Sequence, residues 1–162
     1  MVTFRVGRSL LGIQIELVKE IHRMLDVTEI PGAHGIFKGL VNLRGKIVTV
    51  VDMNVALGQE ETAGANPKLL ILRTTGELLG VKRGDEIAVS LGYENEDSAG
   101  LFIDRIEETV VVDGDAIRPV PPNLDEKKKM LLSGVIKHNN ELILLLNVSR
   151  VIHRCREESA VP

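Results

Sequence analysis

Tryptophan is missing from this 162-residue sequence, and the aromatic complement is only Phe4, Phe37, Tyr93 and Phe102. A protein that stacks single-stranded bases needs rings interleaved with basic residues, and four scattered rings do not supply that pattern. Cysteine is nearly absent too. Cys155 stands alone, so no internal disulfide can form and a reducing compartment is the default expectation. Long hydrophobic runs are also lacking. The longest, at 142–146, is far short of the roughly 20 residues a membrane helix requires. The opening residues enter a strand-like pattern at once, without the apolar run of a signal peptide. A cytoplasmic protein is expected. Neither charge dominates: 20 Lys and Arg stand against 23 Asp and Glu, a formal net charge of −3. That balance argues against strong attraction to nucleic-acid phosphate or an anionic membrane.

What is present is an ordinary globular balance, 44% apolar and 27% charged, at a length suited to one domain with a real core. Short runs rich in Val, Ile and Leu alternate with turns containing Gly, Asn and Pro, the pattern of an all-β domain. Strands are expected at 2–6, 10–15, 40–43, 47–51, 69–72, 101–103, 109–112, 131–136 and 142–146. Tight reversals fall at Arg44-Gly45 and Asn139-Asn140, residues suited to the positive φ of hairpin turns. Helices are few. Asn147 can cap a terminal helix that buries Val148, Val151, Ile152 and Cys155, and Asp52 a short one that buries Met53, Ala56 and Leu57. Residues 16–25 read as a turn of helix running into a strand.

An internal repeat organises the chain. Gly12 leads to Val18 and Glu20 at the same spacings by which Gly100 leads to Ile106 and Glu108. Pro31 and Pro119 each follow their glycine by nineteen residues. Gly39 precedes Asp52 by thirteen residues, as Gly134 precedes Asn147. The reading is two related subdomains within one domain, at 3–58 and 69–156, joined by a linker at 59–68, with an apolar interface between them. Relative to the first copy, the second carries a surplus of about 22 residues near 76–98. Two apolar stretches there, at 78–81 and 87–91, suggest an extra hairpin, followed by a mobile acidic tip at 94–97. Asp125 through Lys129 reads as a solvated loop.

Signals for catalysis are weak. No serine sits in a Gly-x-Ser-x-Gly elbow. His153 and Cys155 are too few to hold a metal, and Asp113-Gly114-Asp115 lacks the remaining ligands of a calcium loop. No glycine-rich phosphate loop occurs. The chain is expected to be no enzyme and to carry no cofactor or metal.

These stretches resemble the CheW-like family of chemotaxis coupling proteins nearly end to end. The most specific match is Phe37-Lys38-Gly39-Leu40-Val41-Asn42-Leu43-Arg44-Gly45-Lys46-Ile47-Val48-Thr49-Val50-Val51-Asp52. It is supported by Phe4-Arg5-Val6-Gly7, Val18-Lys19-Glu20-Ile21, Gly100-Leu101-Phe102-Ile103-Asp104 and Ala116-Ile117-Arg118-Pro119. Thr49 departs from the family's usual proline, and the surplus near 76–98 is no standard feature. The resemblance implies two small five-stranded SH3-like barrels packed together. It also implies an adaptor joining the cytoplasmic tip of a chemoreceptor to the regulatory domain of the histidine kinase CheA.

On that reading the partner-binding residues are Val18, Glu20, Gly39, Asn42, Arg44 and Gly45. Arg44 leads them, because a guanidinium at a hairpin tip offers planar, multidentate hydrogen bonding. Val18 and Glu20 would face one side if the chain between them is extended. Two other classes compete: a β-barrel binder of small ligands or nucleic acid, and a piece of the kinase itself. The sequence holds no phosphorylatable-histidine domain and no ATP-binding motif, which favours a stand-alone adaptor.

Overall fold

The computed structural model describes residues 1–159 apart from 24, 33, 34, 60–63 and 65. The centre of the expected linker, Thr62, Ala63 and Ala65, lies outside the described residues. The chain runs β1 (Val2–Val6), β2 (Ser9–Ile13), a 3-10 turn at Ile15–Leu17, β3 (Val18–Arg23), β4 (Phe37–Leu43), β5 (Lys46–Asp52) and α1 (Met53–Ala56). There follow β6 (Lys68–Leu72), α2 (Thr75–Leu79), α3 (Gly84–Leu91), β7 (Ala99–Ile103) and β8 (Arg105–Thr109). A 3-10 turn at Gly114–Ala116, α4 (Glu126–Leu131), β9 (Leu132–His138), β10 (Glu141–Leu146) and α5 (Val148–Ser159) complete it.

Local chemistry sets many of these boundaries. Asp52 Oδ1 accepts from Asn54 N at 3.0 Å and Val55 N at 3.3 Å, which ends β5 and starts α1. Asn147 Oδ1 accepts from Arg150 N at 3.1 Å and starts α5 in the same way. Arg44, Gly45, Asn139 and Asn140 all take positive φ at the two expected hairpin tips. The strand expected at 109–112 instead lies earlier, as β8. The loop expected at 125–129 is the start of α4, where Asp125 Oδ1 accepts from Lys127 N at 2.8 Å.

Ten strands form two five-stranded sheets, ordered β8-β1-β2-β10-β9 and β3-β6-β7-β5-β4. Adding five to each strand number of the first order, cyclically, gives the second, so the internal repeat is a repeat of topology. The registers agree with it. Gly12 lies opposite Thr3 and Leu145, and Gly100 opposite Ile71 and Val50. Gly39 faces Val50 as Gly134 faces Leu145, and each hairpin slips register at the same step. The prolines break the pattern. Thr28 bridges Leu40 and Arg118 bridges Val135; Leu40 and Val135 are equivalent, so Thr28 matches Arg118. Pro31 and Pro119 therefore stand at different places along their segments.

The two sheets do not coincide with the contiguous halves 3–58 and 69–156. Each half gives two strands to one sheet and three to the other. The 3-10 turn at Ile15–Leu17 carries the chain across, and the bend at Asp104 repeats the crossing between β7 and β8. Similar halves offer either pairing to the same apolar pattern, so periodicity alone does not choose between them. The exchange binds the units through one shared core, where Phe4, Leu11 and Leu144 meet Val51, Leu72 and Leu101, with Val151 and Cys155 from α5. Each sheet also keeps a smaller cluster on its other face. Val41, Val48 and Val50 belong to one, and Ile136 and Ile143 to the other.

The surplus segment is helical, where an extra hairpin was expected. Thr74 and Glu77 form a reciprocal capping box at the start of α2, and Gly92 closes α3 in the left-handed conformation. Leu78 and Ile87 turn inward to the shared core. The acidic stretch after α3 is anchored. Tyr93 Oη donates to Arg73 O at 2.7 Å, Asn95 Nδ2 to the same oxygen at 3.0 Å, and Asn95 N to Thr75 Oγ1 at 2.8 Å. Asn95 is 1% exposed, while Glu94, Glu96 and Asp97 point to solvent.

Candidate partner-docking site

Strand β3 and the β4–β5 hairpin bring an ionic cluster to the surface of the second sheet. Arg44 is 69% exposed at its side chain and donates through Nη2 to Glu20 Oε2. His22 Nε2 lies 3.1 Å from the same carboxylate oxygen and 3.3 Å from Arg44 Nη2. Burial alone would raise the Glu20 carboxyl, but hydrogen bonds from His22 and Arg44 outweigh it and hold the group below its ordinary pKa. The guanidinium is thereby fixed at one edge and open at the others. Asn42 Oδ1 accepts from Gly45 N at 2.9 Å and holds the turn that presents it. Gly45, at φ +83°, has open space around it, so its requirement is conformational. Lys19, Leu43, Lys46, Val48, Ile71 and Ser98 complete a shallow groove with Glu20 and Arg44.

The six expected site residues divide. Glu20, Asn42, Arg44 and Gly45 come together. Val18 does not join them: β3 bulges against β6 between Val18 and Glu20, so Val18 packs on the shared core while Glu20 faces the groove. The expectation that both face one side fails because the bulge interrupts the strand's alternation. Gly39 lies at the far end of β4, where a Cβ would collide with Thr28 O and Val27; its place in the fold is explained by that close approach. His22, Lys19 and Lys46 were overlooked. Alternation along β3 from Glu20 to His22, and the position of Lys46 next to the turn, are the signals that could have found them.

The topological repeat gives this groove a twin on the other sheet. Each of its eight lining residues has an equivalent lining a second groove. Glu20 corresponds to Glu108, Arg44 to Asn139, and Leu43 to His138, whose Nε2 lies 3.1 Å from Glu108 Oε1. The charges differ. Lys19 and Lys46 are replaced by Glu107 and Glu141, and Arg5 bridges the two carboxylates. Arg105 and Arg5 hold Glu107 below the usual carboxylate range, and Arg5 does the same for Glu141. One groove is rimmed by cations and its twin by anions. A partner matched to one is mismatched to the other.

Comparisons with known proteins agree with the architecture. The family model described as CheW-like domain matches residues 1–156. The chemotaxis protein CheW of Treponema pallidum is 26% identical over 153 residues, covering 93% of this chain and 80% of that protein. The CheW of Bacillus subtilis is 21% identical over 162 residues, covering 100% of this chain and 92% of its own. Among solved structures, the scaffolding protein TtCheW of Thermoanaerobacter tengcongensis superposes with a TM-score of 0.72 at 24% identity, covering 93% of this chain and 84% of that one. The paired five-stranded sheets, the short helices and the C-terminal helix are the fold of that protein. The chain belongs to the CheW-like domain family.

Proposed function

We propose that this protein is a non-catalytic coupling adaptor in chemotaxis-type signalling, joining the cytoplasmic tip of a chemoreceptor to the CheA histidine kinase. Family membership along the chain supports the role, as does the likeness to the scaffolding protein TtCheW. The observation that carries the docking site is the Arg44 cluster. A solvent-facing guanidinium is pinned by Glu20 on a rigid hairpin, beside apolar Leu43 and Val48. That arrangement has the makings of an interface anchor, a pre-ordered arginine next to apolar surface. The receptor tip is assigned to this face, and the kinase regulatory domain, built on the same fold, to a separate surface. Such a role places the chain on the cytoplasmic side of the membrane. Among the described residues no helix is long and apolar enough to cross one.

The test is Arg44→Glu, studied by co-sedimentation with a purified receptor cytoplasmic fragment and CheA. Loss of an exposed ion pair costs about 1 kcal/mol or less, so the melting temperature should barely move. Receptor binding should weaken by about tenfold or more, the scale of losing an interface arginine. A folded variant that still assembles like the parent chain would remove Arg44 from the site.

A further inference from the structure

The longest stretch of the chain with no counterpart in the repeat borders the Arg44 groove. Strands β1 and β2 are joined by Gly7-Arg8, whereas residues 73–98 join the equivalent β6 and β7. The repeat shows that this sheet corner closes with a two-residue turn, so strand pairing does not call for α2 and α3. Those helices instead build a wall. Glu77, at the start of α2, pairs with Lys19, the neighbour of Glu20 on β3. The anchored stretch around Asn95 holds Glu96 and Asp97 on the same side. Between this wall and the β4–β5 hairpin lies an open cleft that shares Lys46 and Ser98 with the Arg44 groove. Ile47, 57% exposed, lines it together with Glu96 and Asp97. Neither Glu96 nor Asp97 forms an ion pair or side-chain hydrogen bond with a described residue.

An exposed apolar side chain in one cleft with carboxylates that pair with no described residue favours a particular occupant. We propose that this cleft is a second half of the docking site and receives a basic, amphipathic segment of the same receptor tip that sits on Arg44. The inference rests on the docking reading of the Arg44 face. The receptor segment places an apolar side chain on Ile47 and cationic side chains against Glu96 and Asp97. On the other sheet the equivalent strands β1 and β2 are joined by two residues, and among the described residues no such helices follow there, so the insertion makes the two faces differ in shape as well as in charge. Receptors without basic residues at that point are discriminated against by the unpaired acids.

The experiment uses the full chain, a purified receptor cytoplasmic fragment and, separately, the purified kinase regulatory domain, with binding followed by titration calorimetry. Three variants are compared: Glu96→Lys with Asp97→Lys, Asp85→Lys with Glu86→Lys as a control of equal charge change away from the cleft, and Arg44→Glu. All alter exposed side chains, and melting curves check that each folds. The cleft pair should weaken receptor binding about tenfold at about 50 mM salt, with the gap narrowing at about 0.5 M as the charges are screened. The control pair should leave receptor binding unchanged, and neither pair should alter kinase binding. Unchanged or tighter receptor binding by the cleft pair, an equal loss in the control, or a loss confined to the kinase would overturn the inference. If Arg44→Glu weakens the complex and the cleft pair does not, only the cleft assignment falls. If Arg44→Glu has no effect either, or the parent chain does not bind, the docking reading falls with it.

Discussion

Tyr93 is the only tyrosine, and the sequence has no tryptophan to obscure it. It is 3% exposed, donates to Arg73 O and receives Asn95 Nδ2 at 3.2 Å. Burial pushes its phenol up to about 12, against a smaller opposing effect of the Asn95 hydrogen bond. The folded state therefore favours the neutral phenol. The stability this contributes is full below the unfolded pKa near 10 and is lost as pH rises from there towards about 12. Tyrosinate absorbance should thus titrate near 12 in the native protein and near 10 in denaturant. A native midpoint near 10 would mean that Tyr93 does not lock the insertion to β6. Residue-scale chemistry of this kind was partly legible in the sequence. Asp52, Asn147, Arg44-Gly45 and Asn139-Asn140 act within a few residues of themselves, and each behaves as its local pattern implies. Tyr93 does not, because its partners Arg73 and Asn95 become meaningful only once the intervening segment has folded back.

At the scale of elements, the insertion was the least legible. Its apolar stretches at 78–81 and 87–91 suit a strand or a buried helix face equally, since short runs carry no decisive period. The capping pattern Thr74-Thr75-Gly76-Glu77 was the discriminating signal, and it outweighs the β-branched Val81 and Val89. The consequence concerns excision. Replacing residues 76–98 with Asn-Gly would leave a five-residue connection between β6 and β7, close to the two-residue turn that the repeat uses, and loop closure itself would cost little. The segment nevertheless buries Leu78, Ile87 and Tyr93 in the shared core and meets α5 through Ser149 and Gly92. Each such side chain contributes about 1.5–3 kcal/mol on burial, so the excised protein should unfold at markedly lower urea, with a midpoint well below the parent's. An unchanged midpoint would show that the helices decorate the core without completing it. The bulge in β3 teaches the same lesson in miniature, since one extra residue between Val18 and Glu20 sends two expected partners to opposite faces.

At the scale of the whole molecule, the repeat announced by Gly12 and Gly100 is real but interleaved. A pattern of apolar runs says how many strands there are and which way their faces point; it does not say which copy each strand joins. Interleaving has a consequence for the surface. It sets two equivalent grooves on one chain and lets their charges diverge, Lys19 and Lys46 against Glu107 and Glu141. The Arg44 groove was legible because its key residues lie within one hairpin motif. Its acidic twin was not, because Glu107 and Glu141 come from separate strands of the sheet that Arg5 bridges. The proposed docking of a receptor through β3 and the β4–β5 hairpin is open to direct measurement. The direct measurement is amide hydrogen exchange, with and without a saturating receptor cytoplasmic fragment. Docking at this face should add protection at 18–23 and 42–47 and leave the twin region at 105–109 and 137–142 unchanged. Protection confined to the twin region, with 18–23 and 42–47 exchanging as in the free protein, would contradict it.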